Sequence, residues 1–110
     1  MTAERRARIC ALNDRLRQHH IGGRVLLTSG VVAHGQAFVL AAIGAVQRFD
    51  RFEEANDPYG ERDFGMVDID GDKLFWKIDY YDQSLTSAAV DPASEIGCVR
   101  VLTIMLVEEY

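Results

Sequence analysis

KLFWKIDYYD, Lys73 to Asp82, places Leu74, Trp76, Ile78 and Tyr80 on one side of a period-two pattern and Lys73, Lys77 and Asp79 on the other, with Phe75 and Tyr81 interspersed. That is the pattern of a β-strand with a buried, aromatic-rich face. Asp70-Gly71-Asp72 precedes it, and both residue types tolerate positive φ; before that, Phe64 to Ile69 is a second apolar run. The stretch therefore reads as a tight hairpin. A turn centred on Asp70-Gly71 pairs Val67 with Leu74 and Gly65 with Trp76, whereas a turn on Gly71-Asp72 pairs Ile69 with Leu74 and Val67 with Trp76. Both registers keep the same residues on the same face.

Working outward, Cys98 to Val107 (CVRVLTIMLV) is apolar at nearly every position and β-branched at several, as expected of a central strand covered on both faces. Between the hairpin and this strand, Gln83 to Gly97 is a Ser-, Thr- and Ala-rich loop containing Asp91-Pro92. A loop of that length in a small domain is functional or mobile. Upstream, Gln36 to Phe49 carries Phe38, Val39, Leu40, Ala42, Ile43, Ala45, Val46 and Phe49 around much of a helical circumference, which predicts a deeply buried core helix. Thr2 is placed to cap an earlier helix with the narrow stripe Ile9, Leu12 and Leu16, ended by Gly22-Gly23, with His19 and His20 in its last turn. Val25 to Thr28 then reads as a short strand, broken at Ser29-Gly30. The order α-β-α-β-β-β predicts a single α+β domain over residues 1–110, with a mostly antiparallel sheet of about four strands and two helices packed on it.

The composition is that of an ordinary globular domain: 110 residues, 48% hydrophobic and 26% charged, with a net charge of −5. The apolar run Phe38 to Val46 is too short to cross a bilayer, and the first residues lead into an arginine-studded helix rather than an apolar signal core. A cytoplasmic protein without membrane partners is expected. Charge is uneven along the chain. Residues 1–24 hold six arginines against two acids, while Asp50 to Asp82 holds eleven acids against four basic residues. Such a distribution either compensates internally or offers surfaces of opposite sign to partners.

NDPYGERDFG (Asn56 to Gly65), FWKIDYYD (Phe75 to Asp82), VRVLTIMLVEEY (Val99 to Tyr110) and the amino-terminal ARICALNDRLR together resemble a small bacterial family known only as a domain of unknown function. The resemblance covers essentially the whole chain. Members of that family occur among plasmid and mobile-element genes, so the resemblance implies a role in element maintenance or host conflict and carries no established activity.

No arrangement of residues forms a specific active-site signature. Asp68-Ile69-Asp70-Gly71-Asp72 echoes a calcium loop, but its glycine comes two residues early and strand patterns flank it, so a hairpin turn is the better account. His19 and His20 are adjacent at a helix end and point apart; His34 stands near Thr28 and Ser29 without a nucleophile-elbow pattern. Cys10 and Cys98 are far apart in sequence, without metal or redox spacing, and read as ordinary buried thiols. Neither a metal nor a cofactor is expected. Arg5, Arg8 and Arg15 are available for phosphates, but an acidic domain lacking a reader motif is a poor nucleic-acid binder.

The acidic loop remains as the candidate site: Glu53, Glu54, Asp57, Tyr59, Glu61 and Asp63. As an interaction surface it would meet a protein partner with a basic surface, and a non-enzymatic inhibitor docking on a host defence complex such as a CRISPR effector is the leading expectation. The alternative is a small hydrolase using the loop carboxylates and Tyr59 for acid–base work.

Overall fold

The computed structural model describes residues 2–110. Helix α1 runs Ala3–His19 and begins as the sequence predicts: the Thr2 hydroxyl accepts the Arg5 N–H at 3.1 Å, and Glu4 lies in the first turn. It ends earlier than expected. His20 takes the left-handed conformation (φ 57°) and its N–H bonds to the Leu16 carbonyl, so the helix closes two residues before the glycine pair. Gly22 (φ 88°) turns the chain, and Gly23 already opens strand β1, Gly23–Leu27.

A five-residue helix α2, Ser29–Ala33, follows and buries Val31 completely; helix α3 spans Gln36–Gln47. Strands β2 (Phe64–Ile69), β3 (Asp72–Tyr81) and β4 (Val99–Leu106) complete the sheet, and a 3-10 turn covers Val107–Glu109. The strand order is β1-β4-β3-β2. The β2–β3 and β3–β4 pairs are antiparallel, and β1 runs parallel to β4. The α+β class holds, with a mixed sheet of four strands.

The hairpin adopts the first of the two registers: Gly65 faces Trp76 and Val67 faces Leu74. Asp70 (φ 53°) and Gly71 (φ 93°) both take positive φ, as a two-residue turn matched to strand twist requires, and the Asp68 carboxylate accepts the Gly71 N–H at 2.7 Å.

Leu74, Trp76 and Ile78 of β3 join Leu102, Ile104 and Leu106 of β4 in one core with Leu16, Val31, Ala42 and Val46. Trp76 is fully buried and meets Phe49 and Phe52 edge-on, with ring centroids 5.4 and 6.1 Å away. Helix α3 is less enclosed than its composition predicts. Only Ala42 and Val46 are buried, and Leu40 is 62% exposed, because α1 and α3 form one layer on the sheet and the outer side of α3 faces solvent. The carboxy-terminal turn is tied down by Glu109. Its carboxylate accepts from the Thr28 hydroxyl at 2.6 Å, the Leu106 N–H at 2.8 Å and the Gly30 N–H at 3.1 Å.

Candidate functional site

The acidic loop between α3 and β2 is braced by its own polar side chains. Asn56 accepts the Glu53 N–H at 2.9 Å and donates to the Arg51 carbonyl at 3.1 Å. Asp57 accepts the N–H groups of Glu61 and Arg62 at 2.9 and 3.0 Å, holding a turn in which Gly60 and Arg62 both have positive φ. These bonds divide the six candidate residues. Glu53, Glu54 and Tyr59 are exposed, Tyr59 to 74%, on the rim of a trough of about 540 Å³ that also takes in Arg6, Phe52 and Pro58. Asp57 serves the loop backbone, while Glu61 and Asp63 are half-buried.

Glu61 anchors the loop to the interior. Its carboxylate accepts the Tyr80 hydroxyl at 2.9 Å, and its backbone carbonyl accepts the Asn13 amide at 3.0 Å. The same Asn13 amide donates to the Tyr80 oxygen at 2.8 Å, and the Asn13 carbonyl oxygen accepts Arg100 Nε at 2.9 Å. Arg100 lies over the Tyr80 ring at 5.3 Å and donates onward to the Pro92 carbonyl. Asn13 and Arg100 are buried, so this chain links α1, the acidic loop, β3, β4 and the Gln83 to Gly97 loop within the protein. Burial pushes the Tyr80 phenol well above its ordinary range, against the lowering effect of the Asn13 hydrogen bond; the Asp63 and Glu61 carboxylates add to the rise. Burial, together with the charges of Glu61 and Asp57, also raises the Asp63 carboxyl to about 6.

A second group closes the loop's other flank. Buried Arg17 pairs with Asp14 at 2.8 Å, and Arg62 reaches the other Asp14 oxygen at 2.9 Å. Both guanidiniums lie over the Phe52 ring, at 5.1 and 5.3 Å. The Cys10 thiol donates to the Gly60 carbonyl at 2.9 Å, and burial raises both it and Cys98 above the usual thiol range.

The basic face of α1 compensates internally, mainly against the Gln83 to Gly97 loop. Arg5 pairs with Asp91 at 2.8 Å, Arg15 pairs with Glu95 at 3.0 Å, and Arg8 donates to the Ala93 carbonyl at 2.6 Å. Three arginines considered for phosphate contacts thus hold a strap of the protein's own chain.

Asn13, Arg17 and Arg100 are the residues that sequence reasoning passed over. The signal was present in the periodicity. Asn13 and Arg17 follow Ile9, Leu12 and Leu16 along one helical stripe, and Arg100 alternates with Leu102 and Ile104 on the inward side of β4. Chemically, the inward group is a structural clamp. Tyr59 and the carboxylates Glu61 and Asp63 do not converge on one cavity, because neither acid lines the trough beside Tyr59. Among the described residues no cluster of three or more His, Cys, Asp or Glu has an arrangement able to hold a metal ion, and no helix is long and apolar enough to cross a membrane.

One layer of helices on a mixed four-stranded sheet, with a self-braced acidic loop clamped at its edge, defines a small α+β domain. The chain belongs to the family described as protein of unknown function (DUF3768), whose model matches residues 27–109. That stretch includes the acidic loop, the hairpin and β4, while Asn13 and Arg17 precede it. No curated protein and no solved structure matches the chain.

Proposed function

We propose that this domain is a non-enzymatic protein-interaction module that docks through the exposed Glu53–Glu54–Tyr59 edge on a basic surface of another protein. The supporting observation is the division within the loop. Asp57 and Glu61 hold its shape through hydrogen bonds and Asp63 is half-buried, while Glu53, Glu54 and Tyr59 are left outward beside a trough that Asp57 also lines. A braced loop loses little freedom on binding, and an aromatic flanked by charges is a common anchor at interfaces. Tyr59 stands apart from the Tyr80–Glu61–Asp63 group, and of the carboxylates that share its trough Asp57 is engaged by the loop N–H groups while Glu53 and Glu54 are exposed, which supports this reading over a hydrolase built on Tyr59 and the loop carboxylates.

The resemblance to proteins of plasmids and mobile elements supplies the setting. In this proposal the partner is a nucleic-acid-binding host defence complex, such as a CRISPR effector, whose basic groove the acidic edge occupies. The test is capture of purified candidate complexes by the wild type and by Glu53→Lys/Glu54→Lys/Tyr59→Ala. All three positions are exposed, so the variant's melting temperature is expected to match the wild type while capture is lost. Equal capture by the folded variant refutes the assignment of this edge.

A further inference from the structure

Helices α1, α2 and α3 contribute Leu16, Val31, Ala42 and Val46 to the core on one face of the sheet, and among the described residues no α-helix covers the other, where Tyr110, just after the carboxy-terminal 3-10 turn, packs on Phe64 and Phe75. The register shows what it presents. Arg24, Val101 and Asp79 share one row; Leu26, Thr103, Lys77 and Phe64 share the next; Met105, Phe75 and Met66 form a third. Phe64, Phe75 and Tyr110 form an aromatic cluster with centroids 5.1 to 6.0 Å apart. A trough of about 610 Å³ runs along this face over Leu26, Val101, Thr103 and Met105. Leu26, Met66 and Tyr110 are 51%, 47% and 74% exposed. Val101 and Met105 on the central strand are already covered, at 6% and 4% exposed, so the apolar surface left out lies on the two edge strands and at Tyr110. A solvated sheet face ordinarily alternates to polar residues, so apolar side chains left out at these positions suit an occupant.

The charges on this face select the occupant. Arg24, Lys77 and Lys73 stand against Asp79, Asp68 and Glu109, so the face is balanced although the chain carries −5. A balanced face steers neither a polyanion nor a strongly charged protein toward itself. It does suit a copy of itself. Lys77 and Asp79 pair at 2.9 Å, and Glu109 is spent on Thr28, Gly30 and Leu106, but among the described residues the Arg24 guanidinium has no ion pair. Arg24 and Asp79 lie in the same row, two strands apart. A two-fold axis along the strands reverses the strand order of the second copy, bringing each Arg24 to within one strand of the facing Asp79. Four strands about 4.8 Å apart and roughly eight residues long give a face on the order of 500 Å² before side-chain relief is added, so two such faces reach the roughly 1,000 Å² at the lower end of specific interfaces.

We propose that the face of the sheet opposite the α-helices is the interface of a two-fold symmetric homodimer, in which Leu26, Met66, Phe75 and Tyr110 pack against the same face of a second copy and Arg24 gains an acidic partner. The proposal goes beyond the reading of the acidic loop, which lies beside α1 on the helical side; a dimer would present two such loops and bind a two-sited target with avidity.

The experiment is sedimentation velocity on the full chain over a dilution series up to roughly 100 μM, well above the micromolar Kd expected of a modest interface. The wild type is expected to sediment at twice the 12.3 kDa chain mass at the upper end. Leu26→Glu/Met66→Glu places charges at two positions that are half-exposed in the monomer, and is expected to raise Kd by roughly 100-fold or more while remaining folded. Leu26→Gln, a milder change, provides the same reading if the double variant lowers the melting temperature. Arg24→Asp is expected to weaken the dimer most at low salt. A wild type that stays monomeric throughout assigns the face to another occupant and overturns the proposal. So does a dimer whose Kd is unmoved by the face variants.

Discussion

Gly65 lies directly across the β2–β3 ladder from Trp76, so close that a Cβ at position 65 would stand 2.5 Å from the indole nitrogen and 2.7 Å from the Phe49 ring. The glycine is there for space, because the fully buried indole occupies the volume in which a neighbouring side chain would stand. Gly65→Ala is therefore expected to destabilise by about 1–3 kcal/mol through overpacking, measured by urea denaturation. An alanine variant as stable as the wild type would show that the indole has room to shift.

Trp76 supplies the complementary prediction. It is enclosed by Phe49, Phe52 and the Val46 side of α3, so Trp76→Ala leaves a large cavity and should cost about 3–5 kcal/mol. Thermal melting monitored by far-ultraviolet circular dichroism checks this without relying on the lost fluorophore.

Asp63 should make the fold less stable as pH rises through a defined window. Its carboxyl is raised from 3.8 to about 6, so between those values the native state binds more protons than the unfolded chain, and stability falls with rising pH. Asp63→Asn removes this cost. The variant should melt higher than the wild type at pH 7, with the difference vanishing near pH 4. A difference that persists unchanged at pH 4 would trace the gain to something other than ionisation.

Arg100 should be intolerant of a lysine. Its guanidinium serves Asn13 and the Pro92 carbonyl at once while stacking on Tyr80, a planar fork that a single ammonium does not reproduce. Arg100→Lys is expected to cost about 1–3 kcal/mol and to speed proteolysis between Val90 and Gly97, where the strap loses an interior tether. Global destabilisation with no change in cleavage within that segment would separate the fork from the strap.

The exposed pairs on α1 should behave differently from Arg100. Arg5–Asp91 and Arg15–Glu95 are surface pairs whose acids are about half exposed, so replacing Arg5 or Arg15 with alanine is expected to cost no more than about 1 kcal/mol, and less in high salt. A loss several times larger would mean that the strap depends on these pairs for its fold.

The sequence by itself determined the local elements: the period-two strand Lys73 to Asp82, a hairpin turn about Gly71 with the buried face but not the register settled, the Thr2 cap and the two main helices. Each follows from side-chain period or from φ preferences that act over a few residues. The five residues of α2 are too few to display a period, and the end of α1 moved to His20 because a non-glycine residue took the left-handed cap. Only the tertiary structure decided that β1 runs parallel to β4, since pairing direction depends on where the intervening chain travels rather than on the strand's composition. It also decided which candidate residues face inward. Glu53 and Glu61 are alike in the sequence, but Tyr80 and Asn13, brought from distant parts of the chain, give Glu61 hydrogen bonds that offset its partial burial, and Glu53 is left in water.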